Sequence, residues 1–186
     1  LGLVSAGAKV TLTASREGSE LEQTSHECKK IGGDDCVMGL KADVANFSEC
    51  TDAINKTTEK WGGIDILINN AGRGMTYVDK DFVKNRPSFW DIDVNTWGMI
   101  VDTNLNGIFN MSKLAVPNMI KQGWGRIINV STSLMTMQRK GYSPYGTTKW
   151  AVEGLTNIMA QDLEETKITA NILIPGGATD TAMIPG

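Results

Sequence analysis

Ile64-Asp-Ile-Leu-Ile-Asn-Asn-Ala-Gly72 decides the fold. A nearly unbroken apolar run that closes in a glycine turn reads as a strand covered on both faces, the kind found inside a parallel sheet. Runs of the same character predict strands near Lys9 to Thr13, Cys36 to Lys41, Gly125 to Val130 and Thr169 to Ile174. Helices fill the gaps over Gly18 to Ile31, Ser48 to Trp61, Asn95 to Gln122 and Pro144 to Glu165. Such alternation signals right-handed βαβ units. The expected fold is α/β: a three-layer, doubly wound Rossmann-type parallel sheet with helices on both faces, forming one domain over residues 1–186.

Composition narrows the partners. The chain is 41% apolar, enough for a packed core, and carries a net charge of -3 with no basic stripe. Nucleic acid and anionic membranes are therefore not expected as partners. No run approaches the roughly 20 apolar residues of a membrane span, and a cytoplasmic protein acting on a small molecule is the expectation. Cys28, Cys36 and Cys50 are odd in number without C-x-x-C spacing, and His26 is the sole histidine. Neither disulfides nor a metal site is expected, and a Ser-His-Asp hydrolase is excluded.

Local signals set the boundaries. Asp93 is a good N-cap for the third helix, and Pro117 should end or bend it. Arg73 to Asp91 reads as a polar surface loop in which Tyr77, Phe82, Phe89 and Trp90 hint at an apolar wall. Leu1-Gly-Leu-Val-Ser-Ala-Gly7 reads as the back half of a helix leading directly into a strand. A first strand and glycine-rich turn, where a pyrophosphate would rest on a helix N-terminus, are lacking. A sequence incomplete at both ends is the expectation.

The chemistry centres on Tyr145-Gly-Thr-Thr-Lys149. Residues four apart on a helix share one face, so this spacing sets an ammonium beside a phenol. A positive neighbour favours an ionised acid, so Lys149 is expected to lower the Tyr145 pKa and fit the phenol for proton transfer.

Taken together, Ile64 to Gly72, the isolated Asn104, Gly125-Arg-Ile-Ile-Asn-Val-Ser-Thr-Ser133, Tyr145 with Lys149, and Ile172-Leu-Ile-Pro-Gly-Gly-Ala-Thr179 stand in an order that resembles the short-chain dehydrogenase/reductase family. The resemblance covers essentially the whole chain. It implies that Tyr145 exchanges a proton with the substrate oxygen, that Lys149 lowers its pKa and bonds the nicotinamide ribose, and that Asn104 holds a water in a proton relay. The family's substrate-binding serine aligns with Thr132, with Ser133 as the fallback; Ser131 stands beside them, and alternation along a strand forbids all three from serving.

The resemblance also places a dinucleotide. Asp43 and Val44 would lie against adenine, although helix capping is an equal alternative for Asp43. Asn70, Ala71 and Gly72 would meet the adenine ribose, or serve only as scaffold. Pro175, Gly176 and Thr181 would grip the nicotinamide side. Where NAD-specific relatives carry an acid after the second strand this chain has Ala14, while Ser15 and Arg16 suit a 2′-phosphate, which favours NADP over NAD. The implied activity is NAD(P)-dependent interconversion of a ketone and a secondary alcohol by a homodimer or homotetramer. The alternative is a catalytically silent dinucleotide sensor or scaffold of the same fold.

Overall fold

The computed structural model describes residues 1–16 and 18–176. In chain order it contains α1 (Gly2–Ser5), β1 (Val10–Ala14), α2 (Ser19–Gly32), β2 (Val37–Lys41), α3 (Phe47–Trp61), β3 (Ile66–Asn69), α4 (Phe82–Asn85), α5 (Val94–Val101), α6 (Gly107–Gln122), β4 (Gly125–Val130), α7 (Leu134–Met137), α8 (Ser143–Asp162) and β5 (Ile168–Leu173). All strand pairs are parallel. The five expected strands and four long helices form, so the alternation did encode a doubly wound α/β fold.

Among the described residues the strands divide into two sheets, β1-β2 and β3-β4-β5. A cavity of about 1230 Å³ lies between them, lined by Lys9 to Thr13 on one side and Ile64 to Ala71 on the other. One residue of a strand covered on both faces takes up roughly 160 Å³, so the cavity equals about eight strand residues. A parallel strand in this space would join the two sheets into one.

Two cores hold the halves. Leu67, Ile127 and Ala170 sit side by side in register across β3, β4 and β5. They pack with Cys50 and Ile54 of α3 and Met111, Ala115 and Met119 of α6. Val4, Cys28, Cys36 and Val37 form a smaller cluster between α1, α2 and β2. From α3, Thr57 Oγ1 and Trp61 Nε1 reach Thr11 Oγ1 of β1 at 3.0 and 3.1 Å, while Val10 and Leu12 pack against the smaller cluster. On β3 only one face is covered: Leu67 and Asn69 are buried while Ile66 and Ile68 stand exposed. The two-sided burial inferred from the Ile64 to Asn69 run therefore does not hold for that strand.

The third helix differs from expectation in two ways. Asp93 caps it, accepting from the Thr96 N–H at 2.8 Å, and that bond holds its carboxyl below the usual range. Pro117 does not end it, since α6 runs on to Gln122. The proline lies on the exposed side, where water can serve the carbonyl its ring leaves unpaired. The break in regularity comes instead at Asp102–Asn106, a π-helical turn between α5 and α6.

Candidate active site

Three hydroxyl-bearing residues follow β4, and the structure separates their roles. Ser133 caps α7, its Oγ accepting from the Thr136 N–H at 3.3 Å. Ser131, 3% exposed, donates to Glu153 Oε1 at 3.0 Å. The Thr132 side chain lies near enough to the Tyr145 phenol to favour its ionised form. Of the candidates for the substrate-oxygen position, Thr132 is brought to Tyr145 and Ser133 is occupied as a cap.

Helix α8 presents Tyr145 and Lys149 one turn apart, as their spacing requires. Pro144 at its first turn costs no hydrogen bond there and pre-sets φ for the helix. Gly146 allows α7 to lie against it: a Cβ there would stand 2.2 Å from the Met137 carbonyl oxygen. Lys149 is 5% exposed and donates to the Val130 carbonyl at 2.7 Å. Its Nζ lies 5.6 Å from the centre of the Tyr145 ring.

The electrostatics correct one expectation. Burial pushes the Tyr145 phenol above its ordinary value; the Thr132 side chain opposes this and Tyr142 adds to it. Burial also brings the Lys149 ammonium down from 10.5 to about 8. Lys149 therefore does not lower the Tyr145 pKa in this state. Desolvation dominates, and the ammonium is turned to a backbone carbonyl.

Asn104, wholly buried, lies in the π turn with its amide engaged by protein. Oδ1 accepts from the Arg73 N–H at 2.7 Å, and Nδ2 donates to the Arg73 carbonyl at 3.0 Å and to Thr148 Oγ1 at 3.1 Å. Thr148 donates in turn to the Tyr145 carbonyl at 2.8 Å. The side chain so fastens the turn after β3 to the helix that carries Tyr145. No N–H of that amide remains to hold a relay water.

The expected dinucleotide residues gather at the carboxyl ends of the strands, where ligands of open α/β sheets bind. Ser15 and Arg16 follow β1, Asp43 and Val44 follow β2, Asn70 to Gly72 follow β3, and Pro175 and Gly176 follow β5. Asn70, Ala71, Pro175 and Gly176 are exposed there. Thr181 lies outside the described residues. Asp43 does not cap α3. Asn46 does, accepting from the Ser48 and Glu49 N–H groups. The Asp43 carboxylate instead accepts from the Ala45 N–H at 3.0 Å and meets Arg73 at 3.6 Å.

Arg73, Glu153 and Thr148 were not singled out from sequence. Arg73 directly follows the Gly72 turn, and Glu153 repeats the four-residue step from Tyr145 to Lys149, so two signals were there to read. The Arg73 to Asp91 loop is also better ordered than its composition suggests. Phe82 is buried and packs edge-on to Tyr142 at 5.4 Å, whereas Phe89 and Trp90 are exposed. Among the described residues no three His, Cys, Asp or Glu side chains are placed to hold a metal ion, and no helix is long and apolar enough to cross a membrane.

With this geometry in view, the sequence model of the short chain dehydrogenase family matches residues 1–185. The chain belongs to the short chain dehydrogenase family. It is 31% identical over 174 residues to D-beta-hydroxybutyrate dehydrogenase of Rhizobium meliloti, covering 94% of this chain and 63% of that one. It is 34% identical over 185 residues to a short-chain type dehydrogenase/reductase of Picea abies, covering 97% and 65%. A Bacillus thuringiensis structure solved as a candidate 3-oxoacyl-reductase superposes with a TM-score of 0.82 at 28% identity, over 95% of this short-chain dehydrogenase and 70% of that chain. The chain thus spans about two thirds of the length of the curated relatives it matches.

Proposed function

We propose that this chain carries the proton-transfer centre of an NAD(P)-dependent oxidoreductase interconverting a ketone and a secondary alcohol. The observation that carries the reading is the joint placement of the Tyr145 phenol, the neighbouring Thr132 hydroxyl, and the buried Lys149 ammonium one helical turn away. A phenol held protonated by burial is in the form that donates, so Tyr145 gives its proton to the carbonyl oxygen as reduction proceeds and recovers it in oxidation. Thr132 offers both donor and acceptor to the same oxygen. Lys149 keeps positive charge beneath the site as the phenol loses its proton, and Asn104 holds the Gly72 turn against α8.

The residues at the sheet's carboxyl edge fit a dinucleotide. Asp43 offers a carboxylate acceptor to an adenine amino group, Asn70 to Gly72 an exposed turn, and Pro175 and Gly176 a second. Arg16 beside Ser15, with Ala14 where an acid would select NAD, favours NADP. A metagenomic short-chain oxidoreductase solved in complex with NADP shares the fold, with a TM-score of 0.82 at 23% identity. The nicotinamide, when bound, supplies the hydride. Expected partners are a small carbonyl or alcohol substrate and further copies of the chain, in a cytoplasmic setting.

The test is NADPH oxidation with a panel of ketones. Tyr145→Phe should lower kcat by about 100- to 10,000-fold, the range for a lost general acid, and Thr132→Val should fall well below Ser133→Ala. Turnover unchanged in Tyr145→Phe overturns the reading. Calorimetric binding of NADPH without turnover in the parent favours the silent sensor.

A further inference from the structure

Tyr145, Lys149 and Glu153 follow one another at four-residue steps along α8, and all three meet the chain leaving β4. Tyr145 neighbours Thr132, whose side chain favours the ionised phenol. Lys149 Nζ reaches the Val130 carbonyl at 2.7 Å, and Glu153 Oε1 accepts from Ser131 Oγ at 3.0 Å. One turn further on, Thr156 Oγ1 accepts from Asn129 Nδ2 at 2.9 Å. Helix and strand are thus fastened rung by rung, the helix running back along the strand as a right-handed crossover requires.

The Ser131 rung differs from the others. Its residue lies between the Val130 carbonyl, which accepts the Lys149 hydrogen bond, and Thr132, which neighbours Tyr145. Ser131 is nearly fully buried, and its own N–H donates to the Leu173 carbonyl of β5 at 2.9 Å. Its side chain faces the α6 and α8 side of the sheet, as Asn129 and Ile127 do two and four residues before it. A hydroxyl donating to a carboxylate is charge-assisted and stronger than a neutral pair. The strand has ended at Val130, so no further ladder bond fixes this stretch beyond Ser131.

We infer that Glu153 is a positioning residue that, through Ser131, sets the Val130 carbonyl under Lys149 and the Thr132 hydroxyl beside Tyr145. Glu153 touches no reacting atom. Its effect on turnover rests on the proposed oxidoreductase reading, whereas its effect on Lys149 does not.

The experiment follows the Lys149 amine by NMR in lysine-labelled protein, assigned by its loss in Lys149→Met, and titrates it in four proteins. Losing a well-placed acceptor weakens the charged form, so Ser131→Ala and Glu153→Ala should each lower the Lys149 pKa by about half a unit or more. Glu153→Gln keeps an oxygen for Ser131 and should stay near the parent. A Lys149 pKa unmoved in Ser131→Ala overturns the inference. Equal shifts in Glu153→Gln and Glu153→Ala, with none in Ser131→Ala, would show simple charge attraction and overturn it too. Ser131→Ala removes only a hydroxyl, which keeps the test available if Glu153→Ala fails to fold. With NADPH and ketone, kcat should drop about 10- to 100-fold in both alanine variants, the scale of an ångström's misplacement, with cofactor KM within twofold and recovery in Glu153→Gln. A parent without turnover would remove the oxidoreductase reading and leave the Lys149 titration to decide the placement.

Discussion

Replacing Lys149 by methionine tests the energetics of the site without requiring turnover. Burial lowers the ammonium from 10.5 to about 8 in the folded chain, while the unfolded chain keeps the ordinary value. Between these values the unfolded state binds a proton that the folded state does not, so stability rises with pH across that window. Below pH 8 both states are charged and the cost of holding a buried ammonium is fully present, about 3 kcal/mol at roughly 1.4 kcal/mol per unit. Lys149→Met removes that cost but also the hydrogen bond to Val130, worth about 1.5–3 kcal/mol for a charged donor, so the two proteins should be close in stability at pH 7. They should part as pH rises: the parent gains about 2 kcal/mol by pH 9.5 that the variant does not. Other titrating groups are common to both and cancel in the difference. Urea unfolding followed by far-ultraviolet circular dichroism at pH 7, 8, 9 and 9.5 reads this directly. With a slope of about 2 kcal/mol per molar the midpoints should diverge by about 1 M. A difference independent of pH would refute a desolvated Lys149.

Two further substitutions probe the packing around the site. Gly146→Ala should destabilise the protein by about 1–3 kcal/mol in thermal unfolding, because the new methyl meets the Met137 carbonyl; a gain of about 1 kcal/mol, alanine's helix advantage over glycine, would show that α7 yields freely. Asn129→Leu leaves an Asn69 N–H without the acceptor it now finds at 2.8 Å, so the melting temperature should fall by about 2–10 °C, and an unchanged melt would mean that Ser112 alone satisfies Asn69.

Much of this architecture was legible because it is local. The strand Gly125–Val130 has the bounds its sequence implies, and Asp93 caps the helix that its position announced. What was hidden depends on neighbours far along the chain. The π turn at Asp102–Asn106 lies where Asn104 bonds Arg73 and Thr148, 31 and 44 residues away, and no residue in the turn signals it. Pro117 is tolerated because its side of α6 faces water, a fact of packing rather than propensity. The direction of the Tyr145 shift turned on burial, which the Tyr-Lys spacing does not report. Thr132 could be counted from Tyr145 and Arg126, yet the duties of Ser131 and Ser133 became plain only when Glu153 and Thr136 were seen beside them.

The two groups of strands rest on separate hydrophobic clusters. Backbone amides open to exchange in cooperative blocks, and a block with fewer buried apolar partners opens more often. Val10–Ala14 and Val37–Lys41 rest on the small cluster of Val4, Cys28, Cys36 and Val37, and α3 bridges them to the larger core. Asn104, Thr132, Tyr145 and Lys149 all belong to the other block. The end of β1 that precedes Ser15 and Arg16 is therefore expected to exchange its amides faster than β4 and α8, where the phenol and its ammonium are held.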